Sequence, residues 1–200
     1  MPKASTPPRK SSTRKRAAPK VAFTAPGLSK DDGATTSAVL AERLVALLDL
    51  TATLKHIHWN VVGPGFIAVH EMLDPQYAGV ADMVDATAER IAALGGEPNG
   101  LPGHLVAART WDDYDLGRDS VQAHLGALDV VYAGVISAHR EAIEAVAELD
   151  PITEDLLIGQ TGTLEQYHWF VRAHLQNTSG VLSTQGESTE RGAAKAARGR

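Results

Sequence analysis

The sequence predicts an all-α fold built on four long helices, and three observations predict it. Apolar residues recur at spacings of three, four and seven over long stretches, the period of a buried helical stripe rather than the alternation of a strand. Alanine and leucine are common, while Phe, Trp and Tyr make up only 5% of the 200 residues, a balance that favours helix over a β-sandwich. The long stretches are separated by Gly-Pro-Gly, Gly-Gly and Asp-Pro, which stop and start helices.

The elements follow in order. Val39, Leu40, Leu44, Leu47, Leu48 and Leu54 mark a first helix over residues 36–62, ended by Gly63-Pro64-Gly65. His56 and His58 lie about 200° apart on it, so at most one of them faces any given site. A second helix runs over 66–94 and stops at Gly95-Gly96, glycine being the common residue just past a helix end. Pro75 inside it removes a backbone donor and predicts a kink rather than a break. Residues 97–115 hold Pro98, Pro102 and a short helix at 103–108; such a connector is long for neighbouring antiparallel helices and fits a crossover along a bundle. A third helix over 116–149 buries Val121, Leu125, Leu128, Val131, Val135 and Ile143. Asp150 as cap and Pro151 as first helical residue open a fourth, which reaches Gln176. The chain thus divides into a basic disordered arm and lead-in (1–35), a helical body (36–177) and a flexible tail (178–200).

Charge and composition narrow the function. There is no cysteine, which excludes a disulfide scaffold, Cys-ligated zinc, an iron–sulfur centre and thiol catalysis. No apolar run approaches the ~20 residues of a membrane span, and the proline-broken VAFTAPGL is too short for a secretory h-region. The net charge of −5 is unevenly spread: residues 1–20 carry seven Lys/Arg and no acid, residues 181–200 carry four Lys/Arg and two Glu, and the body between is left at −14. Lys3, Arg9, Lys10, Arg14, Lys15, Arg16 and Lys20 at one end, with Arg191, Lys195, Arg198 and Arg200 at the other, are the candidate contacts for nucleic-acid phosphates. A tail of this composition also serves simply as a solubilising segment.

The chemistry is concentrated between His58 and Arg90. On a helix, His70, Asp74, Asp85 and Glu89 fall near 0°, 40°, 60° and 100°, one stripe, but Asp74 and Asp85 are about 16 Å apart along the axis. One chain cannot close a metal site with both pairs. A second copy across a two-fold axis lays the 70/74 pair of one chain against the 85/89 pair of its mate, and nitrogen with carboxylate donors suits iron, manganese or zinc. HEMLD is no zincin motif, because Asp74 stands where the second histidine is needed. Of the eight histidines only His168 has a glutamate three residues before it, Glu165. An intra-bundle di-iron site therefore lacks its second half, and Glu165 and His168 are read as a surface pair. His124, His139 and His174 are read as partly buried or interfacial. Asp150 and Asp155 are nominated for a three-fold pore.

HWN, Gly63, Phe66, HEMLD and DATAER, continued by RTWDDY, VQAHL, DLLI and WFVRAHL, resemble the signature of the Dps family, the DNA-binding proteins from starved cells, which are miniature ferritins. The resemblance covers roughly residues 35 to 180 and extends into GESTERGAA. It implies a ferritin-like four-helix bundle, a hollow homo-dodecamer, and a ferroxidase site shared by two-fold-related subunits, with at most two irons each. His58, His70 and Asp74 match the ligands from one subunit, and Asp85 and Glu89 those from the other. Trp59 matches a tryptophan close to the irons, with a radical-quenching role. The implied activity is Fe(II) oxidation by hydrogen peroxide, mineral storage and non-specific binding of double-stranded DNA through basic tails, in the cytoplasm and on the nucleoid. Two other classes fit the same residues: a nucleoid-packing protein with a vestigial metal stripe, and a metal store whose tails touch no DNA.

Overall fold

The computed structural model describes residues 21–198. Helix α1 (Lys30–Asn60) leads through a two-residue strand β1 (Val61–Val62) to α2 (Phe66–Ala93). A long connector carrying the short helix α3 (Pro102–Ala108) returns to strand β2 (Asp119–Ser120), which runs straight into α4 (Val121–Val146). Then come α5 (Pro151–Leu175) and a C-terminal α6 (Glu190–Arg198). The long helices α1, α2, α4 and α5 form the bundle, with α1 against α2 and α4 against α5 as its principal pairs. β1 and β2 pair in parallel, Val61 opposite Asp119 and Val62 opposite Ser120, which pins the end of α1 to the start of α4.

The helix ends carry the physics expected of them. Gly95, at φ 81°, and Gly96 close α2 by donating to Ala92 O and Ile91 O, the paired bonds of a Schellman turn. Ser120 caps α4 through Ala123 N, and Asp150 caps α5 through Ile152 N with Pro151 in the first turn. α2 stays helical through Pro75. The core is leucine-rich: Leu47, Leu50, Leu54, Leu73, Leu125, Leu128 and Leu164 pack with Ile57 and Tyr132 in one cluster, and Leu40, Leu44, Ile91, Leu94 and Leu157 in another. By length and hydropathy alone α4 could cross a membrane, but more than half of its apolar window is buried inside the bundle.

Two boundaries differ from the sequence reading. α1 begins at Lys30, inside the segment read as arm and lead-in, because Ser29 caps it by accepting from Asp32 N and Asp31 and Asp32 suit the positive helix start. The segment read as a flexible tail is folded from 178 to 198. Residues 182–184 return along α5, with Ser183 N bonded to Leu175 O, and Thr184 Oγ1 donates to the buried Asp129. Beyond them α6 lies on α4, burying Ala193, Ala194 and Ala197. The long connector is tied to α1 at Asp49, whose carboxylate accepts from Arg109 (2.9 Å) and from Trp111 Nε1 (2.8 Å).

Candidate metal centre

The end of α1 and the first turns of α2 meet beside the Gly63-Pro64-Gly65 turn, whose two glycines adopt positive φ and let the chain reverse. His58 and His70 stack there with ring centroids 3.6 Å apart and planes 22° from parallel. Their bonds cross: His58 Nδ1 donates to His70 O (3.0 Å) and His70 Nδ1 to His58 O (2.9 Å). A carbonyl only accepts, so each Nδ1 carries a hydrogen and each neutral ring keeps its Nε2 lone pair for a metal. Asp74, one turn on from His70, brings Oδ1 to 3.5 Å from His58 Nδ1.

Lys55 completes this half-site. Its Nζ donates to Asp74 Oδ1 at 2.7 Å and sits 4.7 Å from the centre of the Tyr77 ring. That bond, with the charge of Lys55, outweighs desolvation and holds the Asp74 carboxyl below its ordinary value. A cation already stands where a metal would draw the same carboxylate. Lys55 was missed in the sequence, although its spacing of three from His58 puts both on one helical face.

Asp85 and Glu89 lie further along α2, exposed, and about 16 Å of helix separates Asp85 from Asp74. Among the described residues of one chain, no three His, Cys, Asp or Glu side chains gather closely enough to hold a metal. The surface beside the half-site is apolar: Trp59 is 73% exposed, Ile67 59%, Val62 41% and Phe66 36%. Uncovered side chains of this size beside ligand-type residues are what a second protein surface covers.

Other nominated residues fare differently. Asp150 is buried and fully engaged: it caps α5 and accepts from Arg90 Nη2 and Thr153 Oγ1, both at 2.5 Å. Burial opposes its charge, but Thr153 and Arg90 prevail and keep its pKa below the ordinary value. It acts as a structural cap within the chain, while Asp155 is exposed on α5. Glu165 and His168 do not form a surface pair. Glu165 binds Arg140 of α4 at the surface, while the buried His168 bonds Asp129 through Nε2 at 2.6 Å. His124 and His139 are wholly buried, and His174 is exposed.

Lys3, Arg9, Lys10, Arg14, Lys15, Arg16, Lys20 and Arg200 lie outside the described residues. At the C-terminal end Lys195 is exposed, Arg191 pairs with Asp115 (2.9 Å) and Arg198 with Asp119.

The ferritin-like domain family matches residues 37–181. The DNA protection during starvation protein of Mycolicibacterium smegmatis is 53% identical over 176 residues, covering 88% of this chain and 96% of that one. The fine tangled pili major subunit of Haemophilus ducreyi is 52% identical, covering 80% of this chain and 84% of its own. The solved structure of DpsA14 from Streptomyces coelicolor superposes with a TM-score of 0.82 at 58% identity, covering 83% of this chain and 99% of that one. A bundle with a short helix in its long connection, the match over 37–181 and these relatives together make the chain a member of the Dps family of ferritin-like proteins.

Proposed function

We propose that the protein oxidises and stores iron and protects DNA, binding Fe(II) between two copies of the chain and oxidising it with hydrogen peroxide. The observation that carries this reading is the stack of His58 from α1 on His70, with Asp74 beside it, where His70 and Asp74 share the stripe of α2 that also bears the exposed Asp85 and Glu89. A two-fold partner supplies the complementary half, and the apolar surface of Trp59, Val62, Phe66 and Ile67 beside it is the area the partner covers.

Iron is the substrate, at most two ions per site. The crossed Nδ1 bonds fix both imidazoles in the tautomer that offers Nε2, and the three carboxylates favour Fe(III) over Fe(II) because the higher charge strengthens each ionic contact. Each of two Fe(II) gives one electron to one hydrogen peroxide; the O–O bond breaks, two protons are taken up, and two Fe(III) and two waters result. Taking both electrons at one site avoids releasing hydroxyl radical. Trp59, exposed next to His58, is the side chain positioned to quench a radical that escapes. Fe(III) then hydrolyses and mineralises inside a hollow homo-dodecamer, with Asp155 among the acids that draw cations inward.

The second activity is non-specific binding of double-stranded DNA by the basic arm, in the cytoplasm and on the nucleoid. Seven arm charges per chain, repeated around an oligomer, bridge duplexes without reading sequence and offset the −14 body. The test is direct. Twelve chains of 21.2 kDa elute near 254 kDa, and peroxide added to Fe(II)-loaded protein consumes about two irons per peroxide. His58→Ala with Asp85→Ala abolishes fast oxidation and leaves DNA retardation intact. Unchanged oxidation in that variant overturns the site, and unchanged retardation after neutralising the arm overturns its role in binding.

A further inference from the structure

The C-terminal helix α6 occupies a groove on α4 made of the smallest side chains in that helix. Ala193, Ala194 and Ala197 are buried against it, with Ala194 packed among Ala123, Ala127 and Leu116. Gly126 is the floor: a Cβ there would meet Ala193 O at 2.6 Å and Ala197 Cβ at 2.9 Å. Charge closes the edges. Arg198 pairs with Asp119, Arg191 with Asp115 at 2.9 Å, and Glu190 Oε2 accepts from Asp115 N at 2.7 Å. Two of the three described C-terminal cations are therefore neutralised by the body.

We propose that α6 is a releasable clasp: docked, it keeps Arg191 and Arg198 neutralised, and undocked it presents them with Lys195 as a second surface for DNA phosphates. The proposal rests on the reading that the protein binds DNA, and adds how its C-terminal end is regulated. Three observations carry it. The ion pairs are solvent-facing, with the Arg191 side chain 78% and that of Arg198 46% exposed, so phosphates can compete for both guanidiniums. A nine-residue helix does not persist alone in water, so α6 leaves its groove as a unit and unwinds. The point of departure is set: Thr184 is buried and anchored to Asp129 at 2.6 Å, and Gly186, at φ 87°, follows it. Release therefore frees residues beyond 186 and withdraws Ala197 from the edge of the main core cluster, while the Thr184–Asp129 bond holds the chain up to that point.

The release also reaches the metal side. Asp119, which holds Arg198, lies on β2 opposite Val61, three residues after His58. Docking of α6 thus fastens the strand pair that ends α1.

The experiment uses the full-length chain in which the seven basic residues of 1–20 are replaced by Gln, so that the N-terminal arm does not mask the C-terminal one. Gly126→Val is introduced there; it leaves net charge unchanged, and the nearest atoms it displaces all belong to α6. The expected result is faster trypsin cleavage after Arg191 and Lys195, and severalfold tighter DNA retardation. The log–log salt dependence steepens by about 2 to 3, since each neutralised phosphate adds about 0.9. Adding Arg191→Ala, Lys195→Ala and Arg198→Ala removes the gain. If Gly126→Val does not assemble, Asp115→Asn with Asp119→Asn opens the clasp instead, with Glu144→Gln plus Glu148→Gln as the charge-matched control. Cleavage without a gain in DNA affinity, or an equal gain in the control, overturns the clasp while arm-dependent binding by the wild type stands. A wild-type chain that retards no DNA overturns the underlying reading and the clasp with it.

Discussion

Removal of the Asp129 carboxylate tests how the bundle holds its C-terminal segment. Asp129 is 6% exposed on α4 and accepts from His168 Nε2 (2.6 Å), Arg172 Nε (2.8 Å) and Thr184 Oγ1 (2.6 Å), joining α4, α5 and the returning segment. Burial works against its charge, but His168, Thr184 and Arg172 outweigh it and depress its pKa. Asp129→Ala leaves His168 and Thr184 buried without partners, at about 1–3 kcal/mol each, while the half-exposed Arg172 turns to water at little cost. The expected loss is about 3–4 kcal/mol, a large part of a stability of about 5–15 kcal/mol. Asp129→Asn keeps one acceptor oxygen and loses about half as much. Urea unfolding at pH 7 and fixed protein concentration measures both, and amide exchange at 182–188 should accelerate in the same order. The linkage has a definite sign. Because the folded-state pKa is depressed, the carboxylate's contribution is complete above its ordinary value of 3.8 and is lost as pH falls through the folded value. Wild type and Asp129→Asn therefore keep a constant difference from pH 7 to about pH 4.5 and converge only in stronger acid. An Asp129→Ala chain within about 1 kcal/mol of wild type, with unchanged exchange at 182–188, refutes the reasoning.

Two further outcomes follow. Burial pushes the His139 imidazole down to about 4, so the unfolded chain binds a proton that the folded chain refuses between there and 6.5. Stability is complete above 6.5 and falls by about 3 kcal/mol as pH drops to 4, with His124, also lowered by burial, acting in the same direction. Unfolding curves at pH 7.5 and 4.5 should show that loss, and His139→Gln should remove most of it. Lys55→Met frees Asp74 from its lysine partner, and if Asp74 is an iron ligand as proposed, Fe(II) binding by titration calorimetry should tighten a few-fold, the scale of an exposed ion pair. Weaker binding in Lys55→Met would instead make the lysine a necessary support for Asp74.

The bundle was legible because its information is local. Leucine spacing, Gly63-Pro64-Gly65, Gly95-Gly96 and Asp150-Pro151 fix four helices without reference to anything distant. The start of α1 was readable too, in the Ser29-x-x-Asp32 cap, but Gly33 in the first turn obscured it; its lack of a side chain makes room for Thr24 of the lead-in. α6 was not legible, since a short alanine helix has no stability apart from the Gly126 groove, which lies more than 60 residues away. Asp150 followed the same logic: its cap role reads locally, its bond to Arg90 does not. Asp129 left a trace, a lone acid in the apolar run of α4, and an acid there implies buried donors. At the candidate centre the residue types and the stripe were plain, while the stacking of His58 on His70 and the place of Lys55 depend on how α1 meets α2.

The central claim is tested most directly by mixing two disabled chains. A His70→Ala, Asp74→Ala chain and an Asp85→Ala, Glu89→Ala chain are each expected to lack fast peroxide-driven Fe(II) oxidation. Unfolded together at equal amounts and reassembled, they form mixed two-fold pairs in which one of the two sites has all its ligands, so about a quarter of all sites, and of the wild-type rate, should return. A mixture as inactive as its components contradicts a site shared between two chains.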